Sequence, residues 1–124
     1  MQPTFSPQKP LFQSIAEWLE DAILSGIYKE GEQVPSITEI SVQYNLNPAT
    51  ALKGVNILVD AGLLYKKRGM GMFVSKDAYT KLMERRQEQF FTDYIQPLVH
   101  EARRLKINKS DLQSMIERGV TNDN

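Results

Sequence analysis

The chain has 124 residues, of which 41% are hydrophobic and 24% charged, a balance typical of a folded globular domain rather than a disordered chain. It contains no cysteine and one histidine, which excludes disulfides, thiolate zinc sites, cysteine nucleophiles and a histidine-rich metal site within one chain. The formal net charge is zero, so binding to a polyanion would have to depend on local concentrations of positive charge.

The N-terminal segment and the first helix are separated by a change in pattern. Residues 1–10 contain three prolines and few apolar side chains, which predicts an extended arm. From Leu11 to Ile23 apolar residues recur at spacings of three and four, which predicts an amphipathic helix, and Gly26 follows as a stop signal. The first helix should therefore bury one face in a core.

Two short helices are predicted next, with a short break between them. Ser36 and Glu39 have the spacing of a capping box at the start of the first of these helices. Asn47 and Pro48 are suited to the N-cap and first position of the second, and Gly62 ends it. Two helices joined in this way form a helix-turn-helix signature, although any three-helix core can contain such a pair.

The pattern then changes from helical to alternating. Two short strands around 69–71 predict a β-hairpin. Residues 1–65 carry three lysines and seven acidic residues, and the basic run 66–68 follows directly. A basic, glycine-containing hairpin after a helix-turn-helix is typical of a DNA-binding wing, since glycine permits close approach and cations pair with phosphates. Taken alone, the same run is also compatible with a solvated turn.

The C-terminal third is predicted to be helical. One long helix is expected over 76–105, with a kink at Pro97, and a shorter helix is expected to begin at a capping box on Ser110. The apolar stripe of the long helix is too broad for the short helix to cover, which predicts a homodimer interface. Its predicted residues are Phe90, Phe91, Tyr94, Ile95, Leu98, Val99 and Ala102.

Residues 10–75 resemble the winged helix-turn-helix domain of the GntR family of bacterial transcriptional regulators. The resemblance rests on PLFQSIAEWLEDAILSG, YKEGEQVPS, NPAT and AGLLYKKRGMGMFV taken together. The NPAT start and the short C-terminal segment resemble the YtrA-like subgroup. The resemblance implies a repressor that binds operator DNA as a homodimer. Separately, we expect no cofactor. Two-fold symmetry of the dimer would in turn imply a palindromic operator.

The resemblance also implies which residues contact DNA, namely those at the starts of the second and third helices and in the wing. They are Ser36, Thr38, Asn47, Pro48, Ala49, Thr50, Lys53, Lys67, Arg68, Gly69, Met70 and Gly71. Many relatives carry arginine at the position of Thr38 and a basic residue or asparagine near Ala49. Because an arginine can bind guanine or phosphate through two hydrogen bonds, its absence should alter operator preference.

The predicted fold class is mostly α, with a small β component. We expect an extended arm over 1–10, a winged helix-turn-helix over 11–75, a helical dimerisation module over 76–120 and a frayed tail over 121–124. The motifs supply no nucleophile with a base and an orienting group, so no enzyme is expected. No signal peptide or membrane-spanning run is apparent, which predicts a cytoplasmic protein without a membrane partner. Two questions stay open: whether the winged helix binds protein instead of DNA, and whether an unknown small-molecule effector binds.

Overall fold

A computed structural model describes residues 9–122 of the chain. Its elements in order are α1 Leu11–Leu24, α2 Ile37–Gln43, α3 Pro48–Asp60, β1 Leu64–Lys67, β2 Gly71–Val74, α4 Ala78–Phe90, a π-helical turn Phe91–Ile95, α5 Gln96–Arg104 and α6 Lys109–Asn122. Internal contacts divide the chain into two compact units, Met1–Glu84 and Arg85–Asn124. Residues 9–122 are mostly helical with one two-stranded sheet, which confirms the predicted fold class.

The helix-turn-helix forms where the local sequence predicts it. The Ser36 hydroxyl accepts a hydrogen bond from the Glu39 N–H at 3.0 Å, and the Glu39 carboxylate accepts one from the Ser36 N–H at 3.0 Å. Asn45 has a φ of 53°, which turns the chain between the two helices. The Asn47 side chain accepts from the Ala49 N–H at 2.8 Å, and Pro48 is the first residue of α3. Both predicted helix starts are therefore confirmed.

Helices α1 and α3 pack closely in the core of the first unit. Ile15, Val55 and Leu58 are almost fully buried there. Gly54 is also buried, and a Cβ added to it would lie 2.7 Å from the Phe12 carbonyl oxygen and 3.0 Å from the Ile15 side chain. Glycine thus permits an approach of the two helices that a larger residue would prevent. The opposite side of α3 stays exposed to solvent.

The hairpin has a third segment beside it. Strands β1 and β2 pair antiparallel, from Leu64 opposite Val74 to Lys67 opposite Gly71. The connector 31–34 lies along the other edge of β2. Three backbone hydrogen bonds of 2.9–3.0 Å join them: Gly31 N–H to Val74 O, Val74 N–H to Glu32 O, and Val34 N–H to Met72 O. Since an isolated two-stranded hairpin is only marginally stable in water, this segment should stabilise the wing.

The start of α4 belongs to the first unit. Ala78 and Leu82 are fully buried within the same hydrophobic cluster as α1 and α3. The division between units therefore falls after Glu84, within α4, and later than the boundary expected after residue 75. The difference arises because the first turns of α4 complete the core of the winged domain, which the sequence pattern had assigned to the helical module.

The predicted long helix over 76–105 is interrupted by a π-helical turn. The Gln96 N–H bonds to the Phe91 carbonyl, five residues earlier, and Pro97 lies in the first turn of α5. Proline lacks an N–H and its ring crowds the preceding turn, so a widened turn before it accommodates both defects. Each extra residue rotates the following side chains by about 100°. The side chains after Ile95 therefore lie about 100° from the positions that uninterrupted α-helical periodicity predicts for the apolar stripe.

The ends of the chain differ in part from the sequence predictions. Helix α6 begins at Lys109, and the Asn108 side chain accepts from the Asp111 N–H at 2.8 Å, so the predicted start at a Ser110 capping box is wrong. Helix α6 continues to Asn122, which places residues 121 and 122 in a helix rather than in a frayed tail. The rest of that tail, 123–124, and residues 1–8 of the predicted arm lie outside the described part of the chain.

Candidate nucleic-acid interface

The first turn of α2 contributes two of the predicted DNA-contacting residues. Thr38 is exposed, whereas Ser36 is half-buried and its hydroxyl already accepts the capping hydrogen bond. Hydrogen bonds from the Ser36 backbone and then from its side chain lower the pKa of Glu39. A carboxylate here offsets the partial positive charge of the helix N-terminus. The start of α2 therefore offers hydroxyl and backbone groups, with less attraction for a phosphate than an uncapped terminus.

The first turns of α3 present the next predicted group. Asn47, Pro48, Ala49 and Lys53 are exposed, and Thr50 is half-buried. The Lys53 ammonium lies 4.0 Å from the centroid of the Phe12 ring, a cation–π distance. Phe12 is thus a neighbour of the site that the sequence did not predict, because no short-range pattern links the start of α1 to α3.

Lys67 and Arg68, the two basic residues of the wing that were predicted to contact DNA, have different surroundings. Tyr65 and Phe73 lie opposite each other in the hairpin, with ring centroids 5.9 Å apart, and the Lys67 ammonium lies 4.6 Å from the Phe73 centroid. Arg68 and Met70 are exposed at the tip. Lys67 lies on the same face of the hairpin as Tyr65, because residues two apart along a strand share a face. Lys67 is therefore held against an aromatic pair, whereas Arg68 extends from the turn.

The glycines of the tip have the backbone geometry that the turn requires. Gly69 has a φ of 77° and Gly71 a φ of 118°, a region that other residues rarely adopt. The Met70 carbonyl between them accepts a hydrogen bond from the side-chain amide of Gln33 at 2.7 Å. Gln33 was not among the predicted site residues, since it lies 37 residues earlier in the chain.

The second unit exposes most of the predicted dimer residues. Phe90, Phe91 and Tyr94 are 53%, 55% and 65% exposed, and Leu98 is also exposed. The rings of Phe90 and Tyr94 contact each other, with centroids 5.4 Å apart. Ile95 and Val99 are half-buried. The remaining predicted residue differs from this set: Ala102 is only 6% exposed, so it packs within its own unit and offers little area to a partner.

Further apolar side chains of the second unit lie outside the predicted stripe. Leu105, Met115, Ile116 and Val120 are exposed. Some of them line an open apolar groove formed by α5, α6 and the loop between them; its residues are Leu98, Glu101, Ala102, Leu105, Ile107, Leu112, Met115 and Ile116. Helix α6 therefore carries an exposed apolar surface of its own, in addition to the predicted stripe.

Metal ligation and membrane insertion receive no support from the described residues. Across 9–122 no three acidic or histidine side chains come together as a potential metal site. Within the same range, no helix combines the length and apolar character needed to cross a bilayer.

Comparison with known proteins gives three informative similarities. HTH-type transcriptional repressor YtrA of Bacillus subtilis (strain 168) is 32% identical over 75 residues, which are 60% of this chain and 58% of YtrA. The chain thus spans little more than half the length of this curated relative. A GntR-family regulator structure from Bacteroides thetaiotaomicron superimposes with a TM-score of 0.78 at 27% identity, over 92% of this chain and 99% of that one. S. agalactiae BusR, solved in complex with its busAB-promotor DNA, gives a TM-score of 0.57 at 31% identity, over 93% and 54% of the two chains.

The family itself is identified by a match that covers the whole helix-turn-helix and hairpin. Residues 11–74 match the family model described as bacterial regulatory proteins, gntR family. This range begins at the first residue of α1 and ends at the last residue of β2. Since the match covers more than half of the 124 residues, the chain belongs to the gntR family of bacterial regulatory proteins.

Proposed function

We propose that the chain is a sequence-specific DNA-binding transcription regulator that acts as a homodimeric repressor on a palindromic operator. The observation that carries the proposal is the geometry of the first unit, in which the exposed start of α3 is followed directly by a basic hairpin. Such an arrangement suits a recognition helix in the major groove with a wing on the flanking backbone. The repressor name of YtrA and the promoter DNA bound to BusR support this function.

The start of α3 would read base edges. Because the Asn47 oxygen is occupied by the cap, its two amide N–H groups remain as donors toward DNA. The Ala49 methyl group suits contact with a thymine methyl, and Lys53 can donate to guanine or phosphate. Together these groups favour recognition of bases by amide hydrogen bonds, a methyl contact and a single cation on α3.

Lys53 would have to leave Phe12 in order to reach DNA. The 4.0 Å cation–π contact is available to the free protein, and DNA competes with the ring for the ammonium. At an exposed site such a contact contributes about 0.5–1 kcal/mol. Phe12 would therefore reduce the net contribution of Lys53 to binding, and a larger share of the affinity would come from the wing.

The wing would bind the backbone or the minor groove. Arg68 is exposed beside two glycines whose backbone can approach a phosphate closely. Lys67 presents its ammonium along the aromatic face of the hairpin. Contacts of this kind carry little sequence information and fix the register of the protein on the duplex.

The second unit would form the dimer. Three exposed aromatic residues within five positions of the chain, Phe90, Phe91 and Tyr94, make an apolar surface of the kind that usually marks an interface. A dimer would bring two recognition helices and two wings to the DNA. This doubling would compensate for the zero net charge of each chain.

A binding-site selection tests the proposed function. The full chain is used to enrich duplexes from a randomised library, and affinity for the enriched duplex is compared with affinity for a scrambled one. We expect tighter binding to the enriched duplex, and a weaker salt dependence in Lys53→Ala and Arg68→Ala, by about one unit of slope for each lost contact. Lys109→Ala, in α6, is the matched control and should leave the slope unchanged. Equal affinity for both duplexes would refute operator binding.

A further inference from the structure

Gln33 connects the segment before α2 to the tip of the hairpin. Its side-chain Nε2 donates a hydrogen bond of 2.7 Å to the carbonyl oxygen of Met70. We propose that Gln33 is a positioning residue, which holds the wing tip in the geometry that presents Lys67 and Arg68 to DNA. This inference rests on the proposed DNA-binding function, and it adds to the site a residue that itself need not touch DNA.

The bond extends a backbone ladder that stops short of the tip. The connector 31–34 pairs with β2, and the last of these backbone bonds toward the tip joins Val34 N–H to Met72 O at 3.0 Å. Gln33 itself pairs with Phe73. Among the described residues, the Gln33 amide is the hydrogen-bonding group that carries this connection from the connector to the turn. Without it, the turn would be held by β1 and β2 alone.

The absence of a side chain at Gly71 is a second indication that the Gln33 amide is fitted against the wing tip. A Cβ added to Gly71 would lie 2.6 Å from Gln33 Nε2, too close unless the end of the Gln33 side chain moved away. The absent side chain leaves the space that the Gln33 amide occupies. Gly71 therefore serves two purposes, since its φ of 118° also suits the turn.

The anchor of the wing tip lies close to the start of α2. Val34, which follows Gln33, is almost fully buried, and Pro35 restricts the backbone before the Ser36 N-cap. One short segment thus supports both the wing tip and the first turn of α2. A tip that is ordered before binding loses less conformational entropy on binding, which increases affinity.

NMR relaxation of the full chain, without DNA, measures how Gln33 affects the order of the wing tip. Gln33→Glu keeps the size of the side chain and removes the N–H donor, and Gln33→Ala removes the side chain without adding charge. We expect the order parameters of the Gly69, Met70 and Gly71 amides to fall from about 0.85 toward 0.6 in both variants. Gln113→Ala, an exposed glutamine of α6, is the matched control and should leave them unchanged. A tip that stays ordered in both variants overturns the inference.

The effect on binding is measured with the duplex enriched by the wild-type chain. Gln33→Ala should lower affinity by about threefold to tenfold, which corresponds to one exposed hydrogen bond. In a Lys67→Ala/Arg68→Ala background it should have no further effect, because the cations that it positions are absent. Additive losses, or a loss of thermal stability that accounts for the whole effect, would overturn the positioning role. If the wild type enriches no duplex, the proposed function fails; if it does and Gln33→Ala binds equally well, the positioning role alone fails.

Discussion

Gly54 in α3 faces the backbone of Phe12 in α1, at a distance that leaves no room for a methyl group. A Cβ at this position would lie 2.7 Å from the Phe12 carbonyl oxygen. Because a backbone atom cannot move aside as a flexible side chain can, the contact fixes the spacing of the two helices. The exposed face of α3, which carries the proposed reading residues, is set by this spacing.

Gly54→Ala should therefore destabilise the first unit, although alanine is the better helix former. Overpacking a core typically costs about 1–3 kcal/mol, against about 1 kcal/mol gained in helix propensity. Chemical denaturation followed by circular dichroism measures the difference. Gly119→Ala is the matched control: it lies in α6 with nothing within 4 Å of an added Cβ, and it should stabilise the chain slightly. Equal behaviour of the two variants would contradict a steric role for Gly54.

Removing the aromatic face of Phe12 should strengthen DNA binding. Phe12→Leu keeps an apolar side chain and removes the cation–π partner of Lys53, so the ammonium is free to reach the duplex. The contact energy corresponds to a gain of about twofold to fivefold in affinity. Fluorescence anisotropy with the enriched duplex measures the change. In a Lys53→Ala background the same substitution should have no effect, and weaker binding by Phe12→Leu alone would indicate that the ring supports Lys53 instead.

The start of α2 should lose stability in acid because of Glu39. Its pKa is lowered in the folded state by the Ser36 backbone and side chain, so the folded state favours the ionised carboxylate. The ionised carboxylate therefore adds to the free energy of unfolding above the ordinary pKa of glutamate. This contribution is lost as pH falls through the lowered pKa of the folded state. Denaturation midpoints of wild type and Glu39→Gln, measured from neutral pH into this acid range, should converge as pH falls. A constant difference between them would exclude this contribution.

A charge placed on the exposed aromatic surface should separate the proposed dimer. Phe91→Glu introduces a carboxylate at a position that is 55% exposed in the single chain, so folding of the monomer should tolerate it. Within an apolar interface the same charge would be desolvated at a cost of several kcal/mol. Sedimentation velocity should report a monomer for Phe91→Glu and a dimer for the neighbouring control Thr92→Glu. A dimer in both variants would place the interface elsewhere.

The elements that the sequence predicted best are those set by neighbouring residues. The Ser36 capping box and the Asn47 cap follow from groups two or three residues apart, and the structure contains both. The hairpin is recognisable because its alternation and glycines are also local. Because these local signals follow one another along the chain, the family resemblance covers one continuous stretch.

The features that were missed depend on distant residues or on a change of helical geometry. Gln33 and Met70 are 37 positions apart, and the cation–π contact joins Phe12 to Lys53 across two helices. Burial of Ala78 and Leu82 depends on how α4 meets a finished core. Hydrophobic periodicity assumes a constant number of residues per turn, so it could not place the π-helical turn before Pro97.

The widened turn Phe91–Ile95 gives the second unit a place where a change of chain length by one residue can be absorbed. A π-helical turn is equivalent to a helix with one residue inserted. One extra residue is absorbed within this turn, which brings Phe90 and Leu98 toward one row, whereas their spacing of eight positions would separate them by about 80° in an uninterrupted α-helix. A deletion of one residue at this turn would therefore be absorbed, whereas the same deletion elsewhere in α4 or α5 would rotate the exposed aromatic side chains relative to the residues that follow.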